Sequence, residues 1–145
     1  MIYYTEIKYK YELAKEYSVP LPDFSKEEFV MKYVAYMGGQ LTIKKGYQWD
    51  GPSGPTFDTP AFMRGSLVHD ALYQLMRFHA RWEGGKLINR PAVEAMREKA
   101  DDYLRQICRE DGMSAVRAWW VWRAVRRFGD NHIRPPEDPP LLSAP

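Results

Sequence analysis

Cysteine is nearly missing from this 145-residue chain, where Cys108 stands alone. One thiol excludes an internal disulfide and any zinc site built from cysteines. Long apolar runs are missing too: none approaches the roughly 18 residues that cross a bilayer. The opening Met1-Ile-Tyr-Tyr-Thr-Glu6 has neither the basic start nor the apolar stretch of an export signal. These absences predict a soluble product, made in the cytoplasm and not exported by a standard route. Charge of one sign is also scarce. A net +2 gives no specific signal for nucleic acid.

Aromatic residues are abundant, at 14% with five Trp and ten Tyr, on an otherwise ordinary globular balance. The length suits one domain with a real core. The first half is β-prone. Ile2 to about Tyr11 reads as a strand, and Ser18 to Pro22 as a Pro-punctuated break. Phe29–Tyr36 and Gln40–Tyr47 read as two strands around a Gly38-Gly39 hairpin turn. A rigid loop, Trp49-Asp50-Gly51-Pro52-Ser53-Gly54-Pro55, then leads into a helical half. One helix is expected over about Ala61–Phe78. After a Gly84-Gly85 turn, a second runs over about Arg90–Glu110, with Asn89 as its N-cap and Pro91 in its first turn. Ser114 caps a third, which ends near Phe128 and Gly129. The expected fold is α+β: a small antiparallel sheet in the N-terminal half followed by three helices. Residues 1–134 form the domain, and 135–145 a Pro-rich C-terminal extension.

The most informative stretch is Leu67-Val-His-Asp-Ala-Leu-Tyr73. Offsets of three and four share a helix face, so Tyr73 lies alongside both His69 and Asp70. Counting about 100° per residue, His69 falls at the edge of the apolar stripe. On the second helix the same count puts Asp101 at the margin of the stripe and turns Asp102 to water. Antiparallel packing of the two helices would bring Asp101 to His69, with Arg97 four residues earlier favouring the carboxylate. A histidine held by an acid is a general base for water. Ser53 and Ser66 are other nucleophiles, outside any nucleophile-elbow pattern. Asp70, facing the Asp50-Gly51-Pro52-Ser53-Gly54 loop, could hold calcium or another divalent cation with carbonyl oxygens from Gly51 and Gly54. The same residues could instead form a purely structural hydrogen-bond network. His79 and His132 lack such neighbours and read as surface residues.

The third helix has two aromatic faces. Val121, Trp122, Val125 and Phe128 suit the core, and Trp119 and Trp120 share the other side with Arg123, Arg126 and Arg127. The expectation is that both indoles pack on the β-half while the arginines reach past them. Exposed, Trp119, Trp120, Arg123 and Arg127 would suit a membrane surface, a protein partner or a nucleic-acid backbone.

Four segments carry a resemblance: Lys45-Gly-Tyr-Gln-Trp-Asp-Gly-Pro-Ser53, Leu67–Tyr73, Ala100-Asp101 and Ala124-Val-Arg-Arg-Phe-Gly129. In that order they resemble a family of short phage and prophage proteins of unknown function, over about Ile43 to Gly129. That resemblance implies a viral origin, made in the host cytoplasm or carried in the virion, without an activity. His-Asp-x-x-Tyr on one helix also resembles the secreted phospholipases of the A-two class. That resemblance implies His69 as base, Asp70 as calcium ligand, Tyr73 as partner of Asp101, and the Gly51–Gly54 loop as calcium loop. This chain departs from them in lacking their disulfides and in carrying Pro52 and Pro55. Metal phosphohydrolases with a helical His-Asp are excluded, because no histidine precedes His69 to serve as the upstream ligand. The leading expectation is a hydrolase for a phospholipid ester, with peptidoglycan or a peptide as other substrates. The alternatives are a virion-associated accessory protein and a small inhibitor of a host factor.

Overall fold

The computed structural model describes residues 11–49 and 59–129. The Ile2–Lys10 part of the first expected strand, the Asp50–Pro55 loop, His132 and the Pro-rich extension lie outside the described residues. Six strands open the fold: β1 (Tyr11–Glu12), β2 (Tyr17–Pro20), β3 (Phe29–Val30), β4 (Val34–Met37), β5 (Gln40–Ile43) and β6 (Gln48–Trp49). Then come α1 (Pro60–His79), a short hairpin of β7 (Trp82–Glu83) and β8 (Lys86–Leu87), α2 (Arg90–Glu110) and α3 (Ala115–Phe128). The class is α+β, with antiparallel sheets in the N-terminal half followed by three helices.

The main sheet has the order β2-β5-β4-β3, and β1 pairs with β6 beside it. Met37 pairs with Gln40 around Gly38 and Gly39, whose φ of 59° and 75° make the two-residue turn a glycine position. Three strand readings change, the first being that the strand expected over Gln40–Tyr47 ends at Ile43, before a turn at Gly46. Ser18–Pro22 is not a break throughout, because β2 pairs with β5 from Tyr17↔Ile43 to Pro20↔Gln40. It lies on the sheet edge, where a proline's missing donor costs no ladder bond. Phe29–Tyr36 is not one strand. The chain reverses at Met31–Val34, whose backbone N···O distance is 2.8 Å, so that Phe29 pairs with Tyr36 and both rings reach the core.

Helix α1 is buried on most of its circumference, from Gly65 to His69, at Ala71–Tyr73 and at Leu75–Met76. It contributes to one core with Val34, Tyr36, Leu41 and Ile43 of the sheet and Val93, Met96 and Ala100 of α2. Each buried aliphatic side chain there contributes roughly 1.5–3 kcal/mol by leaving water. Near its start, Arg64 forks onto Asp111 just past the end of α2, at 2.9 Å for both Nε–Oδ2 and Nη2–Oδ1. The same guanidinium donates to the Tyr17 hydroxyl at 2.9 Å, so one side chain ties α1 to both α2 and the sheet. At the other end of α1, His79 is not a surface residue. Its ring packs 5.6 Å from that of Phe29, and Nδ1 lies 3.4 Å from Glu27 Oε2. Asn89 does not cap α2 with its side chain. Its amide spans the connection instead, accepting from Arg81 N and donating to His79 O. Ser114 does cap α3, accepting from Arg117 N.

Helices α1 and α2 meet closely at Gly65. A Cβ there would lie 2.7 Å from Cys108 Sγ and 3.1 Å from Leu104 Cδ1. Cys108 is fully enclosed, and burial, then the Asp111 charge, pushes its thiol up to about 11, so it stays protonated and inert at neutral pH. Leu104 and Cys108 cluster with Phe62, Met113, Ala118 and Val121, which seat α3. Overpacking this contact is expected to be costly. Gly65→Val should lower the unfolding free energy in urea by about 2–3 kcal/mol, and by less in a Cys108→Ala background, where the crowding atom is gone. Equal losses in both backgrounds would place the constraint elsewhere.

Candidate functional site

Three helices converge on the carboxylate of Asp101, which has no solvent exposure. Oδ1 lies 2.7 Å from His69 Nε2 and accepts from the Tyr73 hydroxyl at 2.7 Å, both from α1. Oδ2 accepts from Arg126 Nη1 of α3 at 2.9 Å and, more weakly, from Arg97 Nη1 of α2 at 3.5 Å. A buried charge without partners is costly, and these four donors fill the carboxylate's acceptor sites. Asp102, one residue on, is exposed and accepts from the Trp122 indole at 2.9 Å. Helical phase therefore separates the two acids as the apolar stripe predicts, and His69 meets the inner one.

The carboxylate acts as acceptor for Tyr73 and both guanidiniums, so His69 Nε2 is the donor of its pair, and in a neutral imidazole the lone pair is then on Nδ1. The imidazole side chain is 11% exposed and its ring centroid lies 4.2 Å from that of Tyr73. Burial, and then the Asp101 charge, raises the Tyr73 phenol far above the ordinary tyrosine range, so it remains a donor. Arg97 is buried and does a second job. Its Nη1 and Nη2 donate to Arg126 O, and Nη1 to Val125 O, at 3.2–3.3 Å, capping the carbonyl end of α3 where the helix dipole is negative. Gly129 fits against this group. A Cβ there would meet the Tyr73 hydroxyl at 2.5 Å and Arg97 Nη1 at 3.1 Å.

The sequence reading did not place Arg126 at the site; it put that residue on the outer face with Arg123 and Arg127. The Val125-Arg126…Gly129 segment held the signal, since its carbonyls, guanidinium and missing side chain all touch the Arg97–Asp101–Tyr73 group. Ser66 is buried, donates to Met63 O at 2.9 Å and accepts from the Trp49 indole at 3.3 Å, so its hydroxyl is committed to structure. Asp70 is half-buried on α1. Asp50, Gly51, Ser53 and Gly54, its expected neighbours, lie outside the described residues. Their segment departs from Trp49, which is anchored at Ser66, one helical turn before His69. Among the described residues, no group of three His, Cys, Asp or Glu side chains is arranged to hold a metal ion. A cavity lined by Asp23, Lys99, Asp102, Tyr103 and Gln106 includes none of the Asp101 network.

A family model described as protein of unknown function (DUF1353) matches residues 26–125. The chain belongs to that family. The match runs from the segment before β3 into α3, and takes in His69, Tyr73, Arg97 and Asp101 but stops one residue before Arg126. No curated protein and no solved structure matches the chain. The family description carries no activity, so the chemistry rests on the side chains themselves.

Removing one side of a buried, paired charge is expected to cost far more than altering an exposed one. Asp101→Asn should lower the unfolding free energy by about 3–5 kcal/mol. Asp102→Asn, which keeps an acceptor for Trp122, should change it by less than about 1 kcal/mol. Denaturant titration of the two variants checks this, and similar losses would remove Asp101 from its central place.

Proposed function

We propose that this chain is a phage- or prophage-encoded hydrolase in which His69, oriented by Asp101, activates water to cleave a phospholipid ester. The observation that carries the reading is the 2.7 Å His69–Asp101 pair, with Tyr73 on the same carboxylate oxygen. Such a pair fixes the tautomer and stabilises the imidazolium that forms when the base takes a proton. His69 Nδ1 removes a proton from water as the water oxygen bonds to the acyl carbon. The tetrahedral intermediate then collapses, and the leaving alkoxide takes that proton from Nδ1. The products are a fatty acid and a lysophospholipid. The ester substrate is favoured by the similarity of this His-Asp-x-x-Tyr helix, with an acid on an antiparallel helix, to the secreted phospholipases of the A-two class. The phage setting rests on the order of the four sequence segments.

Asp70 follows the base directly on α1 and carries a hard carboxylate, a donor type that suits calcium. Asp50 and the carbonyls of Gly51 and Gly54 would complete its holding group. A bound divalent cation would supply charge stabilisation for the oxyanion.

A second reading has its own support. Asp101 is fully buried and its acceptor sites are filled, which is also how a structural network in a non-catalytic accessory or virion-associated protein would look. One experiment separates the two. Purified protein is incubated with mixed phospholipid vesicles, in calcium and in chelator, and released fatty acid is quantified. The hydrolase reading expects chelator-sensitive release that His69→Gln lowers by about 10²–10⁴-fold. Absent release, or a variant as active as wild type, leaves the structural reading.

A further inference from the structure

The outer face of α3 is exposed and takes no part in the site. Val116, Trp119 and Trp120 are 69%, 37% and 61% exposed, and do not pack on the β-half as the sequence suggested. The reason lies in the layering. The sheet packs with α1 and α2, and α3 docks on them through Ala118, Val121 and Val125. At about 100° per residue, Val116, Trp119, Trp120, Arg123 and Arg127 fall within one stripe directed away from that contact. The stripe is about 17 Å long at 1.5 Å per residue. Its first half is apolar and its second half cationic. The two indoles meet edge-to-face at 5.2 Å, and the Arg123 guanidinium lies 5.5 Å over the Trp119 ring.

Helix α3 carries four arginines and no carboxylate. Its Arg117 is turned to the α1 side, bonded to Thr59, and Arg126 is taken up by Asp101. Arg123 makes no ion pair among the described residues. A lone apolar patch would fit many partners; indoles and guanidiniums in one line along a helix fit a narrower class. Trp rings settle at the level of lipid headgroups, while arginines on the same face pair with headgroup phosphates. We infer that this face of α3 is a docking surface for an anionic phospholipid interface, on which the helix lies side-on. The inference extends the lipid-ester reading, because Arg126 and the Arg97-capped carbonyls put the His69–Asp101 group at the C-terminal end of the same helix. Docking would thus hold the candidate site near the lipid surface, about one helix diameter behind the docked face of α3.

The test reads binding apart from turnover. Full-length protein is co-sedimented with vesicles of phosphatidylcholine alone and of phosphatidylcholine with about one-third phosphatidylglycerol, with indole emission followed in parallel. Wild type should bind the anionic vesicles with a blue shift, and phosphatidylcholine at least about tenfold more weakly. Trp119→Ala/Trp120→Ala should abolish the shift, and Arg123→Glu/Arg127→Glu should weaken binding at least about tenfold. Arg77→Glu, which reverses an exposed charge on α1, should weaken it several-fold less. All these residues are exposed, and circular dichroism checks that each variant is folded. The assignment is overturned if wild type binds neither vesicle, if it binds both equally, or if Arg77→Glu matches the face variants. Binding without fatty-acid release keeps the docking surface and removes the hydrolase. Release that ignores the face variants does the reverse.

Discussion

A buried carboxylate needs donors, and in this chain the donors for Asp101 come from three different helices. His69 and Tyr73 approach from α1, Arg97 from within α2, and Arg126 from α3. None of these partners can be withdrawn cheaply, because at zero exposure water cannot replace them. The helices are consequently fixed in phase as well as in distance: a rotation of α2 by one residue that put Ala100 in the place of Asp101 would leave His69, Tyr73 and Arg126 without an acceptor. The apolar cores on either side, one shared with the sheet and one seating α3, supply most of the burial energy. The carboxylate selects which of the many ways to pack three greasy helices is adopted. It is the constraint on which the rest of the arrangement hangs.

That division explains what could be read in advance. Limits of the second and third helices followed from Pro91, Ser114 and glycine stops, which act through local backbone chemistry. The Gly38-Gly39 hairpin is local in the same way. The choice of Asp101 over Asp102 needed only helical phase and the assumption that two helices joined by a short hairpin run antiparallel. Several of the failures involve contacts between residues distant in sequence. Pro20 is tolerated because β2 lies at a sheet edge, and edge position is a property of the whole sheet. His79 is drawn in by Phe29 and Glu27, some fifty residues away in sequence. Arg126 was assigned to the outer face by the angular count along its own helix, which does not see that its partner lies on α2. Trp119 and Trp120 were expected inside, since periodicity measures how apolar a face is and not whether another layer has already taken the place.

The same network bears on function in two ways that pull together. Filling every acceptor site of Asp101 rigidifies the helix junction, and a rigid junction holds the imidazole of His69 in one orientation. A base is useful when its lone pair is aimed before the substrate arrives. Tyr73 and the two arginines thus act as positioning residues in the hydrolase reading, one step removed from the chemistry. In the structural reading they are the whole purpose. Both readings share the requirement that the carboxylate commands the imidazole, and they differ in whether the remaining nitrogen has work to do.

The tautomer of His69 tests that shared requirement most directly. Long-range nitrogen–proton NMR on ring-labelled protein at about pH 8, where an ordinary histidine is neutral, reports which nitrogen carries the proton. With Asp101 as acceptor, His69 should show a protonated Nε2 and a bare Nδ1, and that preference should weaken in Asp101→Asn. A protonated Nδ1 with a bare Nε2, or a tautomer ratio untouched by Asp101→Asn, would contradict the account.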